Sequence, residues 1–200
     1  MDKNGTQDPS QFKTKARVTE CAIQLIKQKG YNHTTIPEIC KAAGITKSTF
    51  YYHFESKNDV LSNFTAHLGY IVNESLPQII LQETYLKQIW AVFLIYFESN
   101  EAVGPEIIQQ IFVNLLNENK EEGFPFTMSA WNIVVNLTEK AKAAGQIRNP
   151  DNAEKIASAL YTAIRGRIMT WAVEKGRFHL VDSCKALFQT ILMPADDFTF

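Results

Sequence analysis

Cysteine is scarce and scattered. The 200-residue chain has 3, at positions 21, 40 and 184, with no CxxC pair and no histidine cluster nearby. Neither a disulfide framework nor a structural zinc site is supported, and the thiols read as small apolar residues of a reducing compartment. Long apolar runs are lacking too. The longest, Ile89 to Phe97, falls far short of the about 20 residues a membrane helix needs. The opening stretch Met1 to Lys15 is polar and has no secretory apolar core. A soluble, cytoplasmic chain with no membrane partner is expected.

Enzyme signatures are missing as well. There is no Walker loop, no Gly-rich dinucleotide turn, no HExxH and no GxSxG elbow, and the carboxylates sit mostly at helix ends or beside lysines. The chain reads as a non-enzyme without a cofactor. His33 and His53 have no further ligands at metal-site spacing, so no metal is expected.

Strand patterns are nearly absent, while apolar residues recur at helical spacing throughout, which predicts an all-α fold. With 46% hydrophobic residues there is ample material for packed cores. The net charge of −1 hides an asymmetry: residues 1 to 62 carry 9 basic against 6 acidic side chains, the remainder 11 against 15. A small basic end joined to an acidic body suggests that one end meets a polyanion.

Phe12, Ala16, Thr19, Ile23 and Ile26 make the stripe of a first helix, ended by Lys29-Gly30. A second should open at Thr35, whose hydroxyl can accept an orphan backbone N–H, with Pro37 tolerated in the first turn. It ends before Gly44. A third starts at the N-cap Thr46 and carries Lys47 to Tyr52. A fourth starts at Ser56, where Ser-Lys-Asn-Asp resembles a capping box with Asp59 in place of Glu. Beyond it, punctuation at Pro77, Gly104-Pro105, Gly123-Phe124-Pro125, Gly145, Asn149-Pro150 and Gly176 predicts helices near 57 to 74, 83 to 99, 105 to 119, 128 to 144, 151 to 175 and 180 to 193.

Residues 35 to 53 therefore form a helix-turn-helix, with Ala42 and Ala43 small enough for close packing and the turn at Gly44-Ile45. Phe50 and Phe54 lie four apart and should face inward with Ile45. Lys47, Ser48, Tyr51 and Tyr52 then point outward. An ammonium, hydroxyls and phenols on one narrow helical face supply the donors that phosphate oxygens and base edges accept.

The strings Gly30-Tyr31, Thr34-Thr35-Ile36, Ile39 through Phe54 and Ser56-Lys57 resemble the N-terminal domain of TetR-family transcriptional regulators, over about Lys15 to Leu61. The resemblance implies that the third helix enters the major groove, with Lys47, Ser48, Thr49 and Tyr51 near bases or phosphates and Tyr52 and His53 as further candidates. It also matches Thr35 and Lys57 to positions that clamp the DNA backbone, both at helix N-termini, where the dipole favours an anion. Pro37 departs from the polar or basic residue common there, and Cys40 replaces a common alanine.

The layout implied is an N-terminal arm and helix-turn-helix domain over 1–55 and a helical ligand-binding and dimerisation domain over 56–200, coupled by the helix from 57. Ile156, Leu160, Ile164, Ile168 and Trp171 form one late stripe, and Leu180, Cys184, Leu187 and Ile191 another, as two helices of a four-helix dimer interface require. The interface is expected at Ile164, Gly166, Ile168, Trp171, Cys184, Leu187 and Ile191. Gly166 inside a helix costs about 1 kcal/mol relative to Ala, which a close helix approach would offset.

Aromatics of the middle helices should wall an apolar effector pocket or simply form core. Phe64, His67, Tyr70, Trp90, Phe93, Phe97, Gln110, Asn114, Trp131 and Val135 are the candidates, with Asn136 as another polar group. The expected function is a homodimeric repressor, paired through its last two helices and released from a pseudo-palindromic double-stranded DNA operator by a small apolar or amphipathic effector. The competing readings are a DNA-binding regulator with a closed pocket and a helical protein-binding adaptor. The adaptor leaves Lys47, Tyr51 and Tyr52 without a task.

Overall fold

The computed structural model describes residues 9–117 and 128–195, so the expected break at Gly123-Phe124-Pro125 and the start of the N-terminal arm lie outside the described residues. Among the described residues all regular structure is helical, apart from one isolated bridge between Ile147 and Pro194. The helices are α1 (Pro9–Lys29), α2 (Ile36–Ala43), α3 (Lys47–His53), α4 (Lys57–Glu74), α5 (Leu76–Ile79), α6 (Tyr85–Val103), α7 (Pro105–Asn117), α8 (Met128–Ala143), α9 (Ala153–Val173) and α10 (Leu180–Leu192).

Helix starts follow local chemistry. The side chains of Thr46, Ser56, Thr84 and Asn152 each accept the backbone N–H three residues on, satisfying a donor that the helix leaves orphaned. Thr35 departs from this pattern. Its hydroxyl donates to Glu38 Oε2 at 2.6 Å, and its backbone N–H meets the same oxygen at 2.9 Å. The carboxylate at the third helical position, itself paired with Lys29, takes the hydroxyl proton as a charged acceptor and closes a capping box on the Thr35 N–H. At α4 the box is offset by one residue: Asp59 accepts from the N–H of Glu55, not of Ser56. The short α5 was not anticipated. Pro77 stops no helix there, because at the second helical position its missing N–H has no partner to lose.

Two apolar cores result. Val18, Ala22, Ile39, Cys40, Ala43, Phe50, Phe54 and Val60 form a small one that joins α1, α2, α3 and the first turn of α4. The larger core gathers α4 and α6 to α10, and Ile23 and Ile26 extend α1 into it. Consecutive turns of α1 and of α4 thus serve both cores. Phe93 and Phe97 are the centre of the larger one: both are 0% exposed, and Phe93 lies 5.0 Å from Tyr161 and 5.3 Å from Phe188 between ring centroids. Aromatic pairs at such spacings add about 0.5–1.5 kcal/mol each beyond the area they bury.

The late stripes lie elsewhere than expected. Ile164, Ile168, Trp171 and Cys184 are buried in their own subunit's core, with Ile156, Leu160 and Leu180. They cannot face a second copy without unpacking that core. Helical periodicity marks a buried face but does not say what buries it, and here α9 packs on α7, α8 and α10 of the same chain. Gly166 is exposed, and Leu187 and Ile191 are half-buried at the edge. A Cβ at Gly166 would meet nothing within 4 Å, so no close approach inside the subunit explains that glycine.

Candidate nucleic-acid interface

The turn between α2 and α3 is made by Gly44, held at φ +63°, a left-handed conformation that glycine adopts without steric cost. Its N–H and that of Ile45 close the end of α2 on the carbonyls of Lys41 and Cys40. Phe50, 0% exposed, and Phe54 pin α3 from below, their rings 5.6 Å apart. With those two positions inward, the helical repeat turns Lys47, Ser48, Tyr51 and Tyr52 to solvent. All four are exposed, Tyr51 by 58% and Tyr52 by 71%.

The smaller hydroxyls are partly committed. Ser48 Oγ lies 2.8 Å from Thr46 Oγ1, and Thr49 Oγ1 lies 2.9 Å from the same atom. His53 is half-buried, its ring edge-on to Tyr52 at 4.9 Å. Burial, aided by the Lys15 ammonium, holds its imidazole below the usual histidine range. The groups standing outward are therefore the Lys47 ammonium and two phenols. Sequence reasoning missed Gln11, whose side-chain amide donates to the Tyr52 hydroxyl. No local signal could have found it, because the partners are 41 positions apart.

Lys57 is where the geometry departs most from a backbone clamp on DNA. Its ammonium donates to the carbonyls of Tyr31 at 2.6 Å and Thr34 at 2.9 Å and lies 3.9 Å from the centre of the Tyr31 ring. Burial, with a smaller contribution from Lys29, lowers its pKa. Thr35 is exposed, but its hydroxyl is spent on Glu38.

The pocket candidates scatter. Phe93 and Phe97 are locked in the ring cluster, and Phe64 is buried. Trp90 packs edge-on against Phe188 at 4.8 Å, Trp131 stacks on Tyr161 at 5.4 Å, and Val135 is half-buried beside them in the larger core. His67 stacks with Tyr70 and approaches Glu20 of α1 at 3.5 Å. Gln110 donates to Asn114 Oδ1 at 2.8 Å, and the amide nitrogen of Asn114 is buried with no hydrogen-bond partner among the described residues. Asn136 is exposed. No group of three metal-ligating side chains occurs among the described residues, and no helix there is long and apolar enough to cross a membrane.

Residues 18–63, the span from the middle of α1 to the second turn of α4, match the family described as bacterial regulatory proteins, tetR family. That segment is a TetR-type N-terminal domain. The chain is 39% identical over 49 residues to the HTH-type transcriptional regulator AcrR of Shigella flexneri, covering 24% of this chain and 23% of that protein. The uncharacterized HTH-type transcriptional regulator YerO of Bacillus subtilis is 32% identical over 114 residues, 54% of this chain and 38% of its own length. The chain thus covers well under half of either relative. In fold the likeness runs further. The Thermus thermophilus FadR, described as a TetR-family transcriptional repressor in complex with lauroyl-CoA, superposes with a TM-score of 0.64 at 19% identity, over 93% of this chain and 97% of that one. The TetR-like architecture therefore includes the larger helical body.

Proposed function

We propose that this protein is a homodimeric DNA-binding transcriptional regulator of the repressor type, catalysing no reaction, whose hold on a pseudo-palindromic operator responds to a small apolar or amphipathic effector. One observation carries the reading: the outward face of α3 presents Lys47, Tyr51 and Tyr52 to solvent while Phe50 and Phe54 anchor the helix. Two exposed phenols beside an ammonium have donors for phosphates and base edges and little other use on a surface. Two copies are needed to place two such helices in successive major grooves about 34 to 36 Å apart. The outer sides of α9 and α10, with Gly166, Leu187, Ile191 and the exposed Met169 and Val173, are the surface on which they would pair.

The effector reading draws on the body. Among the described residues its buried polar groups are the amides of Gln88, Asn100 and Asn114 and the hydroxyls of Thr138, Tyr96 and Tyr161, all neutral, which suits an apolar chain better than an ion. Acyl compounds are the first class to try, given the lauroyl-CoA of the Thermus relative. Coupling of about 1 to 3 kcal/mol would change operator affinity about 5 to 150-fold.

The deciding experiment is fluorescence-detected binding to the DNA upstream of the protein's own reading frame, with Lys47→Ala and Tyr51→Ala beside the wild type. Weaker binding by both variants is expected. Equal binding by all three would reject the roles given to these residues. The enclosed Phe93, Phe97 and Phe188 cluster favours a second reading, a regulator with a closed body and no small effector. A thermal-shift screen with acyl compounds, aromatic acids and apolar cations separates the two, because a ligand that binds only the folded state must raise the midpoint.

A further inference from the structure

Four buried polar side chains of the helical body close on backbone carbonyls. Gln88 donates to Ile80 and Gln82, Asn100 to Tyr96, Thr138 to Val134, and the Tyr161 hydroxyl to Ala130. Asn114 on α7 does not follow them. It is 2% exposed, and its Nδ2 is buried with no hydrogen-bond partner among the described residues. Its Oδ1 accepts from Gln110, one turn earlier, at 2.8 Å. That bond fixes the amide: the oxygen faces back along α7, and the NH2 is turned away from Gln110. The surroundings are apolar. Ile107 and Ile111 share its side of the helix and are buried, and Phe64, Leu68 and Val72 of α4 belong to the same core. Gln109 marks the α9 side of α7 by donating to the Ala172 carbonyl at 2.5 Å. Asn114, five positions on, stands about 140° round the helix from it, away from α9, and the other helices packed on α7 are α4, α6 and α1.

We propose that Asn114 is the polar anchor of the effector site and donates from Nδ2 to the carbonyl oxygen of a neutral, otherwise apolar molecule. The inference rests on the effector reading above and names the chemistry of that effector's polar end. A buried amide N–H without an acceptor is destabilising, and the donor is satisfied only when an acceptor enters. The acceptor has to be neutral. A carboxylate or phosphate drawn into this core would give up its hydration with one amide to replace it. An ammonium offers N–H donors and no acceptor, so it meets the Asn114 donor with another donor. A carbonyl brings lone pairs, no proton and no charge. Gln110 is the positioning residue: by holding Oδ1 it keeps the amide in the orientation that selects acceptors over donors.

Straight-chain methyl ketones of increasing length are the probe, with alkyl carboxylates and alkylammonium ions of matched length as the competing classes. Binding to the full-length protein is read by calorimetry and by the shift in melting temperature. The ketones are expected to bind and stabilise more than either ion. Asn114→Leu should bind the best ketone about 2 to 12-fold more weakly, the range one hydrogen bond is worth, with a ligand-free melting temperature equal to or above that of the wild type. The isotope-labelled carbonyl of the bound ketone should absorb at lower infrared frequency in the wild type than in alkane solvent, because donation to the oxygen weakens the C=O bond, and Asn114→Leu should abolish that shift. The wild-type band decides alone if the leucine variant does not fold. An unshifted band, as when Nδ2 only holds a water that the ketone leaves in place, would overturn the proposal. So would failure of every ketone to bind, tighter binding of either ion, or equal ketone affinity in the variant. Operator binding by the same preparations keeps the two readings apart. A protein that binds operator and no ketone loses the anchor alone, and one that binds ketone through Asn114 and no operator keeps the site and loses the regulator.

Discussion

Gln11 in the first turns of α1 donates its side-chain amide to the hydroxyl of Tyr52 on the exposed face of α3, at 3.3 Å. The phenol oxygen is the acceptor in that pair, so its own proton is left to donate outward. This arrangement turns Tyr52 from a freely rotating phenol into one whose donor direction is set by a neighbouring helix. If Tyr52 meets DNA through that proton, Tyr52→Phe should weaken operator binding by about 0.5–1.5 kcal/mol, the usual net worth of one hydrogen bond. Gln11→Ala should cost less alone and nothing further in the Tyr52→Phe background. A double-mutant cycle of operator affinities measures the coupling, and strict additivity would deny Gln11 any role through Tyr52.

Gly166 gives a prediction with two opposite arms. It is exposed on α9, and a Cβ there would meet nothing within 4 Å. In an isolated subunit Gly166→Ala should therefore stabilise, by about 1 kcal/mol on helix propensity alone. If a second copy packs on that face, Gly166→Arg should split the dimer. Light scattering reads the mass and thermal melting reads the stability. An arginine variant that remains a full dimer would move the interface away from this face.

His67 should make the protein acid-sensitive. Burial lowers its pKa, and Glu20 opposes that shift only in part. The unfolded chain therefore binds the proton more readily than the folded one. Stability is fully present above the ordinary histidine value of about 6.5, and is lost as pH falls through that value toward the lower folded pKa. The melting temperature is expected to drop between pH 7 and pH 5, and His67→Gln should flatten that slope. A variant with the wild-type slope would assign the acid sensitivity to other groups.

Phe93 tests whether the aromatic cluster is structure or pocket. It is 0% exposed, and its ring meets Tyr161, Phe188 and Phe97. As a core residue it should cost about 3–5 kcal/mol when cut to alanine, read from the shift in denaturation midpoint at unchanged slope. A loss below about 1 kcal/mol would mean that the surroundings are loose enough to admit a ligand there.

Much of this architecture was legible from residue order because it is decided within one helical turn. Thr46, Ser56 and Asn152 cap the helices they precede, Gly44 makes the turn, and the four-residue step from Phe50 to Phe54 orients α3. The outward face of α3 follows from that step, so Lys47, Tyr51 and Tyr52 could be chosen without coordinates. Sequence alone thus determined the all-α fold, the helix-turn-helix and its wet face, since each rests on backbone hydrogen bonding and apolar spacing over a few residues. Tertiary structure decided the rest. It turned Ile164, Ile168, Trp171 and Cys184 into their own subunit's core, gave the Lys57 ammonium to the 31–34 loop, and brought Gln11 to Tyr52. Those outcomes depend on which surfaces distant segments offer one another, and neither a periodic stripe nor a lone charge states its partner.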